Sequence, residues 1–160
     1  MWDDLYPFFL WTENTWLGHA IRQSKWTFSL TEVGHLLSLT VLLGTVLIVG
    51  LRLFGLVLCN KTVAEVAHVF ASWSISALAV VVLSGLLLFV SEATKCWGNV
   101  AFRYKMLFLF LALTFQFTVL RIICHSEEDR FPLFARKMAA LVAVILWFAV
   151  GVAGRAIAFF

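Results

Sequence analysis

The chain has 160 residues, of which 62% are hydrophobic and only 13% are charged, and its formal net charge is +3. A soluble domain of this size cannot hide so much apolar side-chain area, so the composition excludes a soluble globular protein and predicts a lipid bilayer as the solvent. The modest positive charge is typical of residues that flank membrane helices and indicates no nucleic-acid partner.

Residues 1–28 are predicted to form an amphipathic helix that lies in the membrane interface. Phe9, Trp16 and Ala20 recur on one face at helical spacing, and polar side chains follow the opposite face. These polar residues are Thr12, Thr15, His19 and Arg22. Aromatic anchors at the level of the lipid headgroups are expected at Trp2, Trp11, Trp16 and Trp26.

Residues 29–160 contain four apolar runs, each with the roughly 20 residues that a membrane-spanning helix needs. The runs cover residues 29–50, 63–90, 102–124 and 138–160. Helices are expected because they satisfy their own backbone hydrogen bonds in lipid, and short connections favour antiparallel neighbours. The sequence therefore predicts an all-α integral membrane protein, in which an up-down-up-down four-helix bundle follows the interfacial helix.

In this topology one membrane surface, side A, holds both termini and the connection around residues 90–101, and side B holds the other two connections. The acidic N-terminus and the basic pair Arg136–Lys137 favour side B as the cytoplasmic side. We therefore expect a multi-pass membrane protein with both termini on the non-cytoplasmic side.

Polar residues recur at helical spacing along three of the four apolar runs. Lipid cannot satisfy such stripes, so we expect them to face the interior of the bundle. The first run carries Thr31, His35, Ser38, Thr45 and Arg52, and the second carries His68, Ser72, Ser76 and Ala79. The third run has two stripes, one of Lys105, Ala112 and Gln116 and the other of Thr114, Thr118, Arg121 and His125.

Depth in the membrane groups the titratable residues into two nitrogen pairs. His35 lies about seven residues, or roughly 10 Å, into the first helix from side A, and Lys105 lies at a similar depth in the third. Near side B, His68 pairs with His125 in the same way. The arginines that accompany these pairs are Arg52, Arg121 and Arg155.

Neutral imidazole is a good axial ligand for haem iron, and arginines at the membrane edge suit the haem propionates. The sequence therefore predicts haem b at one or two sites, with the iron at His35 and His68 and with Lys105 and His125 as their partners. A simpler alternative stays open at each position. A membrane histidine can merely hydrogen-bond a serine or a carbonyl, and Lys105 can extend to the headgroups.

Glu32, one helical turn before His35, has three roles that the sequence leaves open. It can accept a hydrogen bond from the imidazole as an outer-shell carboxylate. It can instead pair with Lys105 or Arg155, or lie in headgroup water.

Four segments carry a resemblance: IRQSKWTFSLTEVGHLLSLTVLLG (21–44), LRLFG (51–55), SGLLLFVSEA (84–93) and FRYKM (102–106). They resemble an uncharacterised family of small bacterial four-helix membrane proteins, and this resemblance implies the bacterial inner membrane as the location. More distantly, the chain is similar to the haem-containing membrane protoporphyrinogen oxidase, whose pattern His35, Gly44, Arg52-Leu53 and Lys105 match in order. That resemblance implies haem b near His35 and Lys105. The chain departs from the pattern because no tryptophan precedes Gly44 and Leu51 stands where a proline is expected.

A second distant resemblance, to the copper-resistance D type of membrane protein, is based on the helix-borne histidine. The chain has only three methionines, so a copper path rich in soft ligands is not evident.

The leading hypothesis is a b-type haem-binding membrane protein or electron-transfer subunit, and therefore a candidate oxidoreductase subunit. It would exchange electrons with a quinone or quinol or with a partner protein. Two other classes of function stay open. One is a cofactor-free accessory subunit of a larger membrane complex or homo-oligomer. The other is a proton or ion transporter that uses Glu32, His35 and Lys105 as a relay.

Overall fold

The structure, a computed structural model, describes residues 6–126 and 130–157. Two short helices come first, α1 (Tyr6–Glu13) and α2 (Trp16–Gln23), and then the long α3 (Lys25–Phe54) and α4 (Val63–Ser91). A short α5 (Ala93–Gly98) precedes α6 (Val100–Phe115), a π-helical segment (Gln116–Leu120) and α7 (Arg121–His125), and α8 (Leu133–Ala156) follows. Four stretches are long and apolar enough to span a membrane, namely Trp26–Phe54, Val63–Ser91, Val100–Cys124 and Leu133–Ala156. The predicted all-α bundle is thereby confirmed.

Local hydrogen bonds set the ends of these helices. The Ser24 hydroxyl accepts from a backbone N–H in the first turn of α3, and Gly55 ends that helix in the left-handed conformation with φ of 79°. A reciprocal capping box between Thr62 and Glu65 begins α4. The Asn99 side chain caps α6. The connection around residues 90–101 is therefore not simply a loop, because its middle forms α5.

The spans pack around a core in the half of the bundle nearer side B. Helix α3 packs along both α4 and α8, and α8 packs along α6, whereas within the described residues α4 and α6 have no comparable interface. Leu42, Leu53 and Trp147 are almost completely buried between the helices. Most other large apolar side chains of the spans face outward, as lipid-facing residues do. The bundle is consequently open on the side between α4 and the third span.

The N-terminal segment is two helices rather than the single amphipathic helix predicted. The chain turns at Asn14, and Thr15 caps α2 by accepting from the Gly18 N–H at 3.4 Å. Helix α1 packs mainly against α5, and α2 packs against α3 and α4. Trp11, Trp16 and Trp26 remain exposed, which fits the predicted interfacial anchors; Trp2 lies outside the described residues.

Glu13 joins this segment to the connection between the second and third spans. Its carboxylate accepts from the Thr94 N–H at 2.8 Å and from the Thr94 hydroxyl. Arg22 donates to the other oxygen at 2.5 Å. The hydrogen bond from the Thr94 hydroxyl holds the pKa of the Glu13 carboxyl below its ordinary value. The Thr94 N–H and the Arg22 charge act in the same direction, and burial opposes them.

We expect Glu13→Gln to destabilise the docked N-terminal segment by about 1–2 kcal/mol at neutral pH, because a carboxylate with several donors is lost. A carboxyl whose pKa is lowered by folding stabilises fully above its unfolded pKa of about 4.3. This stabilisation disappears as the pH falls through the lower, folded value. Melting curves of the detergent-solubilised protein from about pH 7 to about pH 3 check this. The variant should have a lower melting temperature than the wild type at neutral pH, and its melting temperature should fall less on acidification. If the melting temperatures of the two proteins fall in parallel with pH, the Glu13 carboxylate does not provide this stabilisation.

Candidate functional site

His35 is the buried titratable side chain at the side A end of the bundle. It lies on the inner face of α3 with only 8% of its surface exposed. Its Nδ1 is 2.9 Å from the Ser84 Oγ of α4. The Ser84 hydroxyl also lies 2.5 Å from the Val80 carbonyl oxygen. With the hydroxyl proton on that carbonyl, the Ser84 oxygen accepts from His35, and a neutral His35 then carries its proton on Nδ1 and its lone pair on Nε2.

Gly85 lets the imidazole lie directly against the backbone of α4. A Cβ added at this glycine would be 3.2 Å from the Cε1 atom of His35, closer than carbon atoms pack comfortably. Ser84 therefore gives the ring a hydrogen-bond partner, and Gly85 leaves the space that lets the ring pack directly on the helix backbone. Neither residue was predicted as a site residue, although the two begin the segment SGLLLFVSEA (84–93). Their signal is a small and a polar residue side by side in the middle of an otherwise bulky apolar run.

Lys105 reaches the same end of the bundle from α6, as the depth comparison predicts. Its side chain is half-buried and lies against Gly154 of α8, where an added Cβ would be 3.6 Å from Nζ. Lys105 also interacts electrostatically with His35. The structure therefore places two nitrogen groups, from α3 and α6, at the same end of the bundle and within electrostatic reach of each other. This region, with Ser84, Gly85 and Gly154 around the two side chains, is called the His35 niche.

Cys96 of α5 lies at the edge of this niche and interacts electrostatically with Lys105. Burial raises the pKa of the Cys96 thiol to about 11. The free thiol is therefore protonated at neutral pH and is a poor nucleophile in that form.

Glu32 does not hold the imidazole. Its side chain is exposed, and within the described residues it forms no hydrogen bond or ion pair with His35 or Lys105. Ser84 contacts the imidazole instead. The reason is geometric: His35 points toward α4, whereas Glu32, three residues earlier, faces outward.

The arginines predicted to accompany the nitrogen pairs are distributed over both ends of the bundle. Arg52 donates from Nε to the Lys61 carbonyl oxygen at 2.7 Å and thereby fastens the turn between α3 and α4 on side B. Arg121 is exposed beside the opening between α4 and the third span. Arg155 is exposed in the last turn of α8, on side A.

The structure does not bring His68 into the core. His68 and the other members of its stripe are exposed, and α4 instead turns Val66, Ala77, Val81 and Ser84 inward. The expectation of an inward-facing stripe is therefore wrong for α4. The side chain of His125, the predicted partner of His68, lies outside the described part of the chain.

Three residues of the second stripe of the third span, Thr114, Thr118 and Arg121, are also exposed. For the two threonines the reason is identifiable. The Thr114 hydroxyl donates to the Phe110 carbonyl oxygen at 2.8 Å, and the Thr118 hydroxyl donates to the Thr114 carbonyl oxygen at 2.5 Å. A threonine that is satisfied within its own helix needs no partner on another helix, so it tolerates a lipid-facing position.

Comparison with known proteins places the chain in a family that has no assigned function. Neither curated proteins nor solved structures gave a match. These comparisons give no link to the membrane protoporphyrinogen oxidase or to the copper-resistance D proteins. The expected resemblance to an uncharacterised family is confirmed, and it covers more of the chain than the quoted motifs do. The chain belongs to the family of unknown function DUF6644, whose model matches residues 8–160.

Proposed function

We propose that this protein binds haem b in the membrane and serves as an electron-transfer protein, with His35 as an axial ligand. The observation that supports this most directly is the hydrogen bond from His35 Nδ1 to Ser84. That bond fixes the ring orientation and leaves the lone pair on Nε2, which is how protein scaffolds prepare a histidine to bind a metal. The close packing of the ring on Gly85 further restricts the orientation of the imidazole.

Lys105 is the candidate for the second axial position. It belongs to a different helix from His35, lies in the His35 niche and is held against Gly154. An amine binds iron only as the neutral base, so Lys105 would bind in its deprotonated form. The donor set of one imidazole and one amine nitrogen thus fits a b-type haem. The exposed Arg155 at the same end suits a propionate at the membrane edge.

Bound haem would supply a one-electron carrier between a quinone or quinol and a partner protein. The chain's own contribution is to orient the imidazole through Ser84. Its packed spans also keep water away from the buried side of His35.

The absorption spectrum of the purified protein tests this proposal. The full chain would be expressed with an adequate haem supply and purified in detergent, and a Soret band with about one haem per chain is expected. Absence of the band both after purification and after titration with haem would overturn the proposal. A colourless chain that copurifies with a larger complex would point to the accessory-subunit alternative.

Lys105→Met separates the two ligand positions in the same assay. Methionine keeps most of the unbranched side chain, removes the terminal amine and carries its thioether sulfur two positions nearer the backbone. We expect the variant to keep haem through His35 and to show altered absorption bands in the oxidised form. An unchanged spectrum would remove Lys105 from the iron.

A further inference from the structure

A second feature, distinct from the His35 niche, is a cavity of about 250 Å³ in the half of the bundle nearer side B. Residues of α3, α4, the third span and α8 line it, and it lies at the side where α4 and α6 fail to pack. Most of the lining is apolar. The polar side chains among its lining residues are Thr45, Ser74, Gln116 and Arg121.

Gln116 gives this cavity a fixed hydrogen-bond donor. The Trp147 indole N–H lies 3.3 Å from the Gln116 Oε1. An indole N–H can only donate, so its partner must be the amide oxygen, and the orientation of the Gln116 amide is determined. Within the described residues, the amide nitrogen forms no hydrogen bond to the protein. Its two N–H groups are therefore available to a molecule in the cavity.

The backbone at this point also departs from regular α-helix. Gln116 begins the π-helical segment Gln116–Leu120, and the segment supplies three residues of the cavity wall, Gln116, Phe117 and Leu120. Wide π turns inside α-helices occur frequently at functional sites. Here the wide turn coincides with the amide donor, which is a second observation at the same place.

The depth of Gln116 restricts what can accept its hydrogen bond. Gln116 precedes Cys124, the last residue of the third span, by about 12 Å along the helix axis. The whole span is about 37 Å long on the same scale, so Gln116 lies within several ångströms of its middle. Ester carbonyls of phospholipids stay at the interface, about 15 Å from the bilayer centre. Acyl chains reach Gln116 but carry no acceptor.

We propose that this cavity binds the head of a membrane-soluble quinone, with one quinone carbonyl accepting from the Gln116 amide. Quinones combine an apolar ring, carbonyl acceptors and a position in the hydrocarbon layer, which are the properties that the cavity selects. The volume is sufficient for one substituted ring, because a cavity of about 150 Å³ already admits benzene. The site shares no residue with the His35 niche and does not depend on haem binding there.

Direct binding of a short-chain quinone tests the assignment. The full chain would be purified in detergent, freed of bound quinone and titrated with decylubiquinone while tryptophan fluorescence is followed, because Trp147 lines the cavity. Saturable quenching is expected. Decylbenzene, with the same chain and ring type but without carbonyls, serves as the competing probe. If it binds as tightly as decylubiquinone, the occupant is a hydrocarbon chain and the proposal is overturned.

Two pairs of variants locate the site. Gln116→Leu should weaken decylubiquinone binding about 3- to 10-fold by removing the donor. Thr118→Leu, an exposed position of the same segment, should leave it unchanged. Ala71→Phe should fill the cavity and abolish binding, whereas Ala79→Phe, on the exposed face of the same helix, should not. Equal binding by Gln116→Leu and the wild type would refute the proposal even if Ala71→Phe fails to fold.

The same titration on a His35→Ala variant keeps the two proposals separate. Quinone binding that persists in a haem-free variant supports the cavity assignment alone. Loss of quinone binding in both haem-loaded and haem-free protein overturns it without affecting the haem assignment.

Discussion

Substitution of His35 by alanine is expected to leave the purified protein without stoichiometric haem while its helical content stays unchanged. His35 is the buried imidazole of the His35 niche, and its Nε2 is the atom that the proposed haem iron would bind. Loss of a group that merely supports a metal ligand lowers metal affinity about 10- to 100-fold, so loss of the ligand itself should exceed that range. The haem content per chain, measured from the Soret band and the protein concentration, provides the test.

Ser84→Ala should have an intermediate effect in this assay. The variant retains the imidazole but leaves its Nδ1–H without the Ser84 oxygen, so we expect weaker haem retention, about 10- to 100-fold in affinity. His68→Ala is the matched control, because His68 is exposed on α4. Full haem content in His35→Ala, or loss of haem in His68→Ala, would show that the iron ligand lies elsewhere.

Gly18→Ala is expected to disrupt docking of the N-terminal segment. A Cβ at this position would lie 2.6 Å from the Glu13 carbonyl oxygen and 2.9 Å from the Val90 carbonyl oxygen. Both contacts are with backbone atoms, so no side-chain rotation relieves them. Overpacking of this kind destabilises by about 1–3 kcal/mol, which outweighs the roughly 1 kcal/mol by which alanine favours a helix over glycine.

The thermal midpoint in detergent measures this effect, and limited proteolysis of the N-terminal segment localises it. Gly34→Ala is the control because Gly34 lies within α3 and an added Cβ there would meet nothing within 4 Å. The control should be neutral or slightly stabilised. A Gly18→Ala variant as stable as Gly34→Ala would mean that α2 packs less tightly on α4 than the structure has it.

The spans were predictable from the sequence because the length of an apolar run and the thickness of a bilayer are matched quantities. The residues at which the spans begin and end were less predictable. The last span begins at Leu133 rather than at the predicted position 138, because Arg136 and Lys137 can be accommodated in the first turns of a membrane helix near the headgroups. The end predicted for that span, at residue 160, lies outside the described residues.

The interior of the bundle was predictable only in part, because helical periodicity shows which residues share a face but not which way that face points. For α3 the stripe through His35 and Thr45 does face inward. For α4 the packed face consists of small and β-branched residues, and the polar stripe at His68 is exposed. A hydroxyl that donates to a carbonyl oxygen of its own helix needs no partner on another helix, so its position does not indicate where the neighbouring helix lies.

Only part of the candidate site was predictable from the sequence, namely His35 and Lys105. His35 and Lys105 have unusual side chains for their depth, and that chemistry marks them in the sequence. Ser84 follows His35 by 49 positions and is an ordinary residue in a membrane helix. Its role depends on the rotation of α4 about its own axis, a quantity that no local pattern specifies.

The contact between Glu13 and Thr94 also sets the order of events during synthesis. The two residues are separated by 81 positions, which a ribosome translates in about 4–16 s at about 5–20 residues per second. Throughout that interval the first two helices have no docking partner on α5. The exposed Trp11 and Trp16 of these two helices suit a position at the membrane surface while the second span inserts. The first helices of the chain thus reach their final positions only after more than half of its 160 residues have been made.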